Sequence, residues 1–184
     1  MLSLSTSNKK ISKTIIFNIP AIHTCPFATG ECKKSCYAMK AQRMYPNVRI
    51  SRDRNFQFSL QDNFVSDMIE KIKSYNGKYK YFRIHESGDF YNQKYVDKWM
   101  EIAASFPDIK FLAYTKSYPY DYSNKPKNLT IRYSIWEDTK KINDTLPKAY
   151  MSDVKEAKGK TCKETCGDCR YCWDSPDDVI FIKH

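Results

Sequence analysis

The sequence predicts an α/β fold with a largely parallel sheet. Short β-branched and aromatic runs recur along the chain, and amphipathic helical segments separate the early ones. The connections between runs are too long for hairpins, so successive strands are expected to lie parallel. No internal repeat or linker divides the 184 residues, which suits one domain spanning 1–184.

Thr14–Asn18 opens the pattern as a strand closed by Pro20, and the cysteine loop 23–37 follows it. Leu60, Phe64, Val65, Met68, Ile69 and Ile72 recur at three-to-four spacing, predicting one amphipathic helix within Ser51–Ser74. Asn76-Gly77 breaks that helix. Tyr79–Ile84 is a second strand running into His85–Phe90. Gln93–Phe106 sets Tyr95, Val96, Trp99, Met100, Ala103 and Phe106 on one helical face, and Pro107 stops it. Ile109–Tyr114 and Leu129–Ile135 are further strands, Ala149–Met151 a short fifth and Val179–Ile182 a sixth. Ligands in such sheets gather at the carboxyl ends of strands. The cysteine loop, His85–Asp89, Thr115–Lys116 and Trp136–Asp138 are all expected on that rim. The cysteine segment 160–174 falls there too if the sixth strand is parallel.

Net charge is +10, and residues 1–60 carry ten lysines and arginines against Glu31 and Asp53. No apolar run is long enough for a membrane span, so no membrane partner is expected. The polar start Met1–Lys10 lacks the apolar stretch of a secretion signal, which makes the cytoplasm the expected compartment. There disulfides are rare, and clustered thiols read as metal ligands.

Cys162, Cys166, Cys169 and Cys172 lie within eleven residues. Structural zinc usually takes two pairs separated by a dozen or more residues, whereas tight serial spacing is typical of iron–sulfur runs. Iron–sulfur, as a 4Fe-4S cluster, is the first expectation and zinc the alternative. Cys25, Cys32 and Cys36 supply only three thiols. Either the fourth position stays open for a small-molecule ligand, or His23, His85 or a late cysteine fills it.

His85, Glu86 and Asp89 at a strand end are candidates for acid–base work, and Ser87 for holding a polar substrate. Gly88 permits close approach of a ligand, and Lys116 is an inward candidate at the next strand end. Their duller role is a solvated strand-to-helix loop. Arg43, Arg49, Arg52 and Arg54 belong to a basic run interleaved with Tyr37, Tyr45 and Phe56. That pattern suits phosphates and stacked bases, and equally a positive face that only solubilises.

The stretch from Thr14 to Lys116 resembles the gene product 88-like proteins, an uncharacterised family of phages and mobile elements. Cys25-Pro-Phe-Ala-Thr-Gly-Glu-Cys32-Lys-Lys-Ser-Cys36-Tyr-Ala, Arg83-Ile-His-Glu-Ser-Gly-Asp-Phe90 and Ala113-Tyr-Thr-Lys-Ser117 carry the resemblance, and the late group ending Cys172-Trp173 extends it. More distantly, a three-cysteine loop after the first strand, followed by Ser87-Gly88-Asp89-Phe90 after the second, is similar to radical S-adenosylmethionine enzymes. Met39 stands where their third cysteine would fall. That likeness implies a small partial (β/α)6 TIM-like barrel, and S-adenosylmethionine as ligand of an open cluster. The expected function is an iron–sulfur cluster-binding protein. The alternatives are a metal-stapled nucleic-acid-binding accessory protein and an electron carrier or redox sensor.

Overall fold

The computed structural model describes residues 2–8, 10–140, 142, 145–163 and 165–183. The strands are β1 (Leu4–Ser5), β2 (Ile15–Phe17), β3 (Tyr81–Ile84), β4 (Lys110–Thr115), β5 (Leu129–Ile135), β6 (Lys148–Met151), β7 (Lys160–Thr161) and β8 (Val179–Phe181). They form one sheet in the order β1-β2-β3-β4-β5-β6-β8-β7. β1 is antiparallel to β2, and every other pairing is parallel. Among the described residues no ladder joins β1 to β7, so no closed barrel forms.

Alternation along the strands separates two faces. Ile15, Phe17, Phe82, Ile84, Phe111, Ala113, Leu129, Ile131 and Tyr133 fill one face, under α4 (Phe64–Lys73) and α5 (Gln93–Ala104). Phe17, Phe64, Phe82, Tyr95 and Trp99 interlock there as tilted and edge-on rings. Ile16, Leu112, Ala149 and Val179 point to the opposite face, onto which Cys172 and Trp173 pack.

The expected helix within Ser51–Ser74 is two helices, α3 (Pro46–Ser59) and α4. Leu60, counted in the apolar stripe, is 50% exposed, and Asn63 starts α4 afresh. The cysteine loop 23–37 is partly helical, with α1 (Gly30–Lys34) and the start of α2 (Tyr37–Met44).

The late cysteine segment leaves the carboxyl end of β7 at Cys162 and then crosses a face of the sheet. From β2 to β6 the chain steps across the sheet in one direction, and α4 and α5 cover one face. From β7 to β8 it steps back. A right-handed crossover that reverses direction must put its connection on the other face. Residues 162, 163 and 165–178, including α6 (Tyr171–Asp174), therefore cross the face that the larger helices leave open. α6 settles near the strands' amino ends: Lys110 pairs with Asp174 at 2.6 Å, and Trp173 Nε1 donates to the Phe82 carbonyl at 3.2 Å.

Candidate functional site

The first cysteine group is built by turns. His23 N–H donates to the Ala21 carbonyl at 2.7 Å, closing a γ-turn on Ile22, whose φ is +65°. That region is unusual for a β-branched residue, and its strain is on the order of 1–3 kcal/mol. Cys25 N–H then bonds the Ile22 carbonyl, and Thr29 caps α1 by accepting from Cys32 N–H. The Asp138 carboxylate, from beyond β5, accepts from Glu31 N–H at 2.9 Å and ties α1 to the rim. Cys36 occupies the N-cap of α2.

These turns bring the three thiols within electrostatic range of one another, and Cys25 and Cys32 within range of Asp89. Burial, then the Asp89 carboxylate, pushes the Cys25 thiol up to about 12. Burial also raises Cys32, and the nearby Lys116 ammonium opposes the rise. Lys116 Nζ donates to Ser134 Oγ at 2.9 Å and lies 5.2 Å from the centre of the Trp136 ring. Asp89 accepts from Thr115 Oγ1, Lys116 N–H and Phe90 N–H at 2.6, 2.8 and 2.7 Å. It clamps the ends of β3 and β4, and burial still raises its carboxyl.

The remaining rim candidates have structural partners. His85 lies in the aromatic core, ringed by Phe17, Phe90, Tyr95 and Trp99, with Nε2 2.9 Å from Tyr95 Oη. Its φ of +62° turns the chain at the end of β3. Burial pulls its pKa down to about 3, so the ring is neutral and closed off from solvent. That placement removes it from acid–base work at the rim and from the fourth ligand position. Glu86 accepts from Asn8 Nδ2 at 2.6 Å, and Ser87 Oγ donates to the Ile19 carbonyl at 2.9 Å. Gly88, at φ +87°, does not make room for a ligand. A Cβ there would lie 2.3 Å from Ile19 Cγ1 and 2.7 Å from Thr24 Oγ1, so the chain's own loop fills the space.

The four late thiols form a separate group. Cys162, Cys166, Cys169 and Cys172 all line one small recess of about 20 Å³. Burial, then the charge of Cys162, pushes Cys166 up to about 11, and Arg83 opposes the rise. Cys162 N–H bonds the Ile180 carbonyl at 2.7 Å and Cys166 N–H the Lys10 carbonyl at 2.6 Å. Arg132, fully buried, donates to the carbonyls of Cys172, Asp177 and Ser175 at 3.0, 2.5 and 2.5 Å. Arg170 donates to Thr14 Oγ1 and the Ser12 carbonyl, and stacks 4.2 Å from the Tyr81 ring centre.

All seven cysteines are free. Among the described residues, no three His, Cys, Asp or Glu side chains converge closely enough to hold one metal ion.

Arg83 carried no role in the sequence reading. It alternates with Phe82 and Ile84, so it faces the cysteine side of the sheet. Its guanidinium stacks 4.0 Å from the Tyr114 ring centre, and Nε donates to the His85 carbonyl. The period of two in Tyr81–Ile84 was the available signal. Of the four basic candidates, Arg43, Arg49 and Arg54 are exposed. Arg52 is buried, and its Nη1 donates to the Ala38 carbonyl at 2.7 Å, joining α2 to α3. It is unavailable to phosphate.

A mostly parallel sheet with a three-thiol loop on its rim and a four-thiol crossover on one face defines a cysteine-rich α/β protein. No helix of the described chain is long and apolar enough to cross a membrane. The chain belongs to the Gene product 88 family, whose model matches residues 2–167. It is 32% identical to the Gene 88 protein of Mycobacterium phage D29 over 178 residues, covering 87% of this chain and 73% of that protein. It is 29% identical to the Gene 88 protein of Mycobacterium phage L5 over 196 residues, covering 86% and 81%. No solved structure matches it significantly.

Proposed function

We propose that this chain is an iron–sulfur protein with two four-iron clusters. Cys25, Cys32 and Cys36 would hold one, with an iron left open to a small-molecule ligand. Cys162, Cys166, Cys169 and Cys172 would hold the other. The supporting observation is that all four late thiols, at serial spacings of three and two residues, line one small recess. Zinc needs its donors gathered tetrahedrally around one ion, whereas a cubane takes one thiolate at each iron corner. Soft thiolate donors suit that chemistry.

When bound, the clusters supply one-electron redox chemistry and, at the open iron, a coordination position. The chain's own residues contribute charge and shelter. The Lys116 ammonium offsets a Cys32 thiolate electrostatically, and Arg83 does the same for Cys166. Burial raises Cys25 and Cys166, so these thiols stay protonated until a metal displaces the proton. We also read the sheet as a partial (β/α)6-like barrel, because β2 to β6 neighbour one another in chain order, as barrel strands do.

The open position is tested by paramagnetic resonance of the anaerobic, reduced protein. Adding S-adenosylmethionine, or a small thiol, is expected to shift the signal that is lost in Cys25→Ser. A signal unchanged by either ligand would overturn the open-site assignment.

A further inference from the structure

We infer that the outward faces of α2 and α3 form a binding surface for single-stranded nucleic acid. Lys40, Arg43, Arg49 and Arg54 are exposed on these two helices, and Asp53 is their only acid. Among the described residues, none of the four cations forms an ion pair or a side-chain hydrogen bond. Arg52 holds the helices together from behind through the Ala38 carbonyl, so the basic face is carried on a fixed frame.

Apolar exposure concentrates on the same pair. Tyr37 is 68% exposed, with its hydroxyl donating to the Glu86 carbonyl at 2.8 Å, Tyr45 is 55% exposed, and Met44 and Ile50 are exposed on the same helices. Phe56, the third aromatic of the run, turns inward against His23 and Tyr91. Exposed tyrosines among unpaired cations suit unstacked bases on a phosphate chain, since every base offers a ring face and duplex bases do not. Fourteen residues of α3 span about 21 Å, enough for several nucleotides. The surface begins where Cys36 caps α2, so a bound strand passes beside the three-cysteine group. The inference does not depend on which metal, if any, those thiols hold.

The test is fluorescence anisotropy with a labelled single-stranded 12-mer, with metal content measured on the same samples. Four phosphate contacts predict a slope of log affinity on log salt near −3, so binding weakens about 50-fold between 50 and 200 mM salt. The triple variant R43E/R49E/R54E is expected to lose at least tenfold, with metal content unchanged. Y37A/Y45A is expected to lose about fivefold or more with the salt slope intact. Cross-linking of a 4-thiouridine oligomer to the unmodified protein needs no variant, and should label the peptide containing Tyr37 or Tyr45. Absence of binding at 50 mM salt, indifference to charge reversal, labelling elsewhere, or stronger binding to phosphatidylserine vesicles or duplex would overturn the proposal.

Discussion

Replacing His85 by Asn tests whether this histidine is a core residue. Its ring is buried among Phe17, Phe90, Tyr95 and Trp99, and its pKa is pulled from 6.5 down to about 3. A depressed histidine pKa means the unfolded chain binds a proton that the folded chain refuses. Stability is therefore full above pH 6.5 and is lost as pH falls from 6.5 towards 3. The whole effect is about 5 kcal/mol, of which about 2 kcal/mol has gone by pH 5. Asparagine tolerates the left-handed backbone at φ +62° and does not titrate. The Asn variant should be less stable at pH 7.5, because it leaves a cavity and removes the bond to Tyr95. Between pH 7.5 and 5, however, its stability should fall by about 2 kcal/mol less than that of the unmodified protein. Urea unfolding at the two pH values measures this difference, and ring-nitrogen shifts report the protonation directly. Equal pH dependence in both proteins, or a His85 ring that titrates near 6.5, would refute the reasoning.

Three further outcomes are expected. Gly88→Ala should destabilise the fold by at least about 3 kcal/mol in a thermal shift assay, because its Cβ would overlap Ile19 Cγ1 at a φ of +87°. Arg132→Met strands three carbonyls of the crossover and should cost about 3 kcal/mol or more in chemical unfolding, with the late cysteine segment becoming protease-sensitive first. Arg83→Met should leave iron content unchanged and lower the reduction potential of the late cluster by on the order of 60 mV in a redox titration followed by paramagnetic resonance.

Much of the sheet is readable from the chain. Alternation in Tyr81–Ile84 and the apolar runs of β4 and β5 mark strands that are buried on one or both faces. Pro20 and Pro107 end elements where proline must. The loop carrying Cys25, Cys32 and Cys36 follows a strand end by its position in the sequence alone. The place of the late cysteines is harder, because it depends on β7 inserting outside β8, a two-residue strand with no pattern to read. Once that reversal is known, crossover handedness puts Cys162–Cys172 on the opposite face. His85 and Arg52 carry polar labels that suggest rims and surfaces. Only packing shows one sealed in aromatic rings and the other bonded to a helix carbonyl.

The central claim concerns what the two groups of thiols hold. Iron and acid-labile sulfide analysis of anaerobically purified and reconstituted protein tests it most directly. The expected result is about eight irons and eight sulfides per chain, falling to about four of each in C25S/C32S/C36S and in a variant with the four late cysteines changed to serine. Zinc alone, with no labile sulfide in the unmodified protein, would contradict the account.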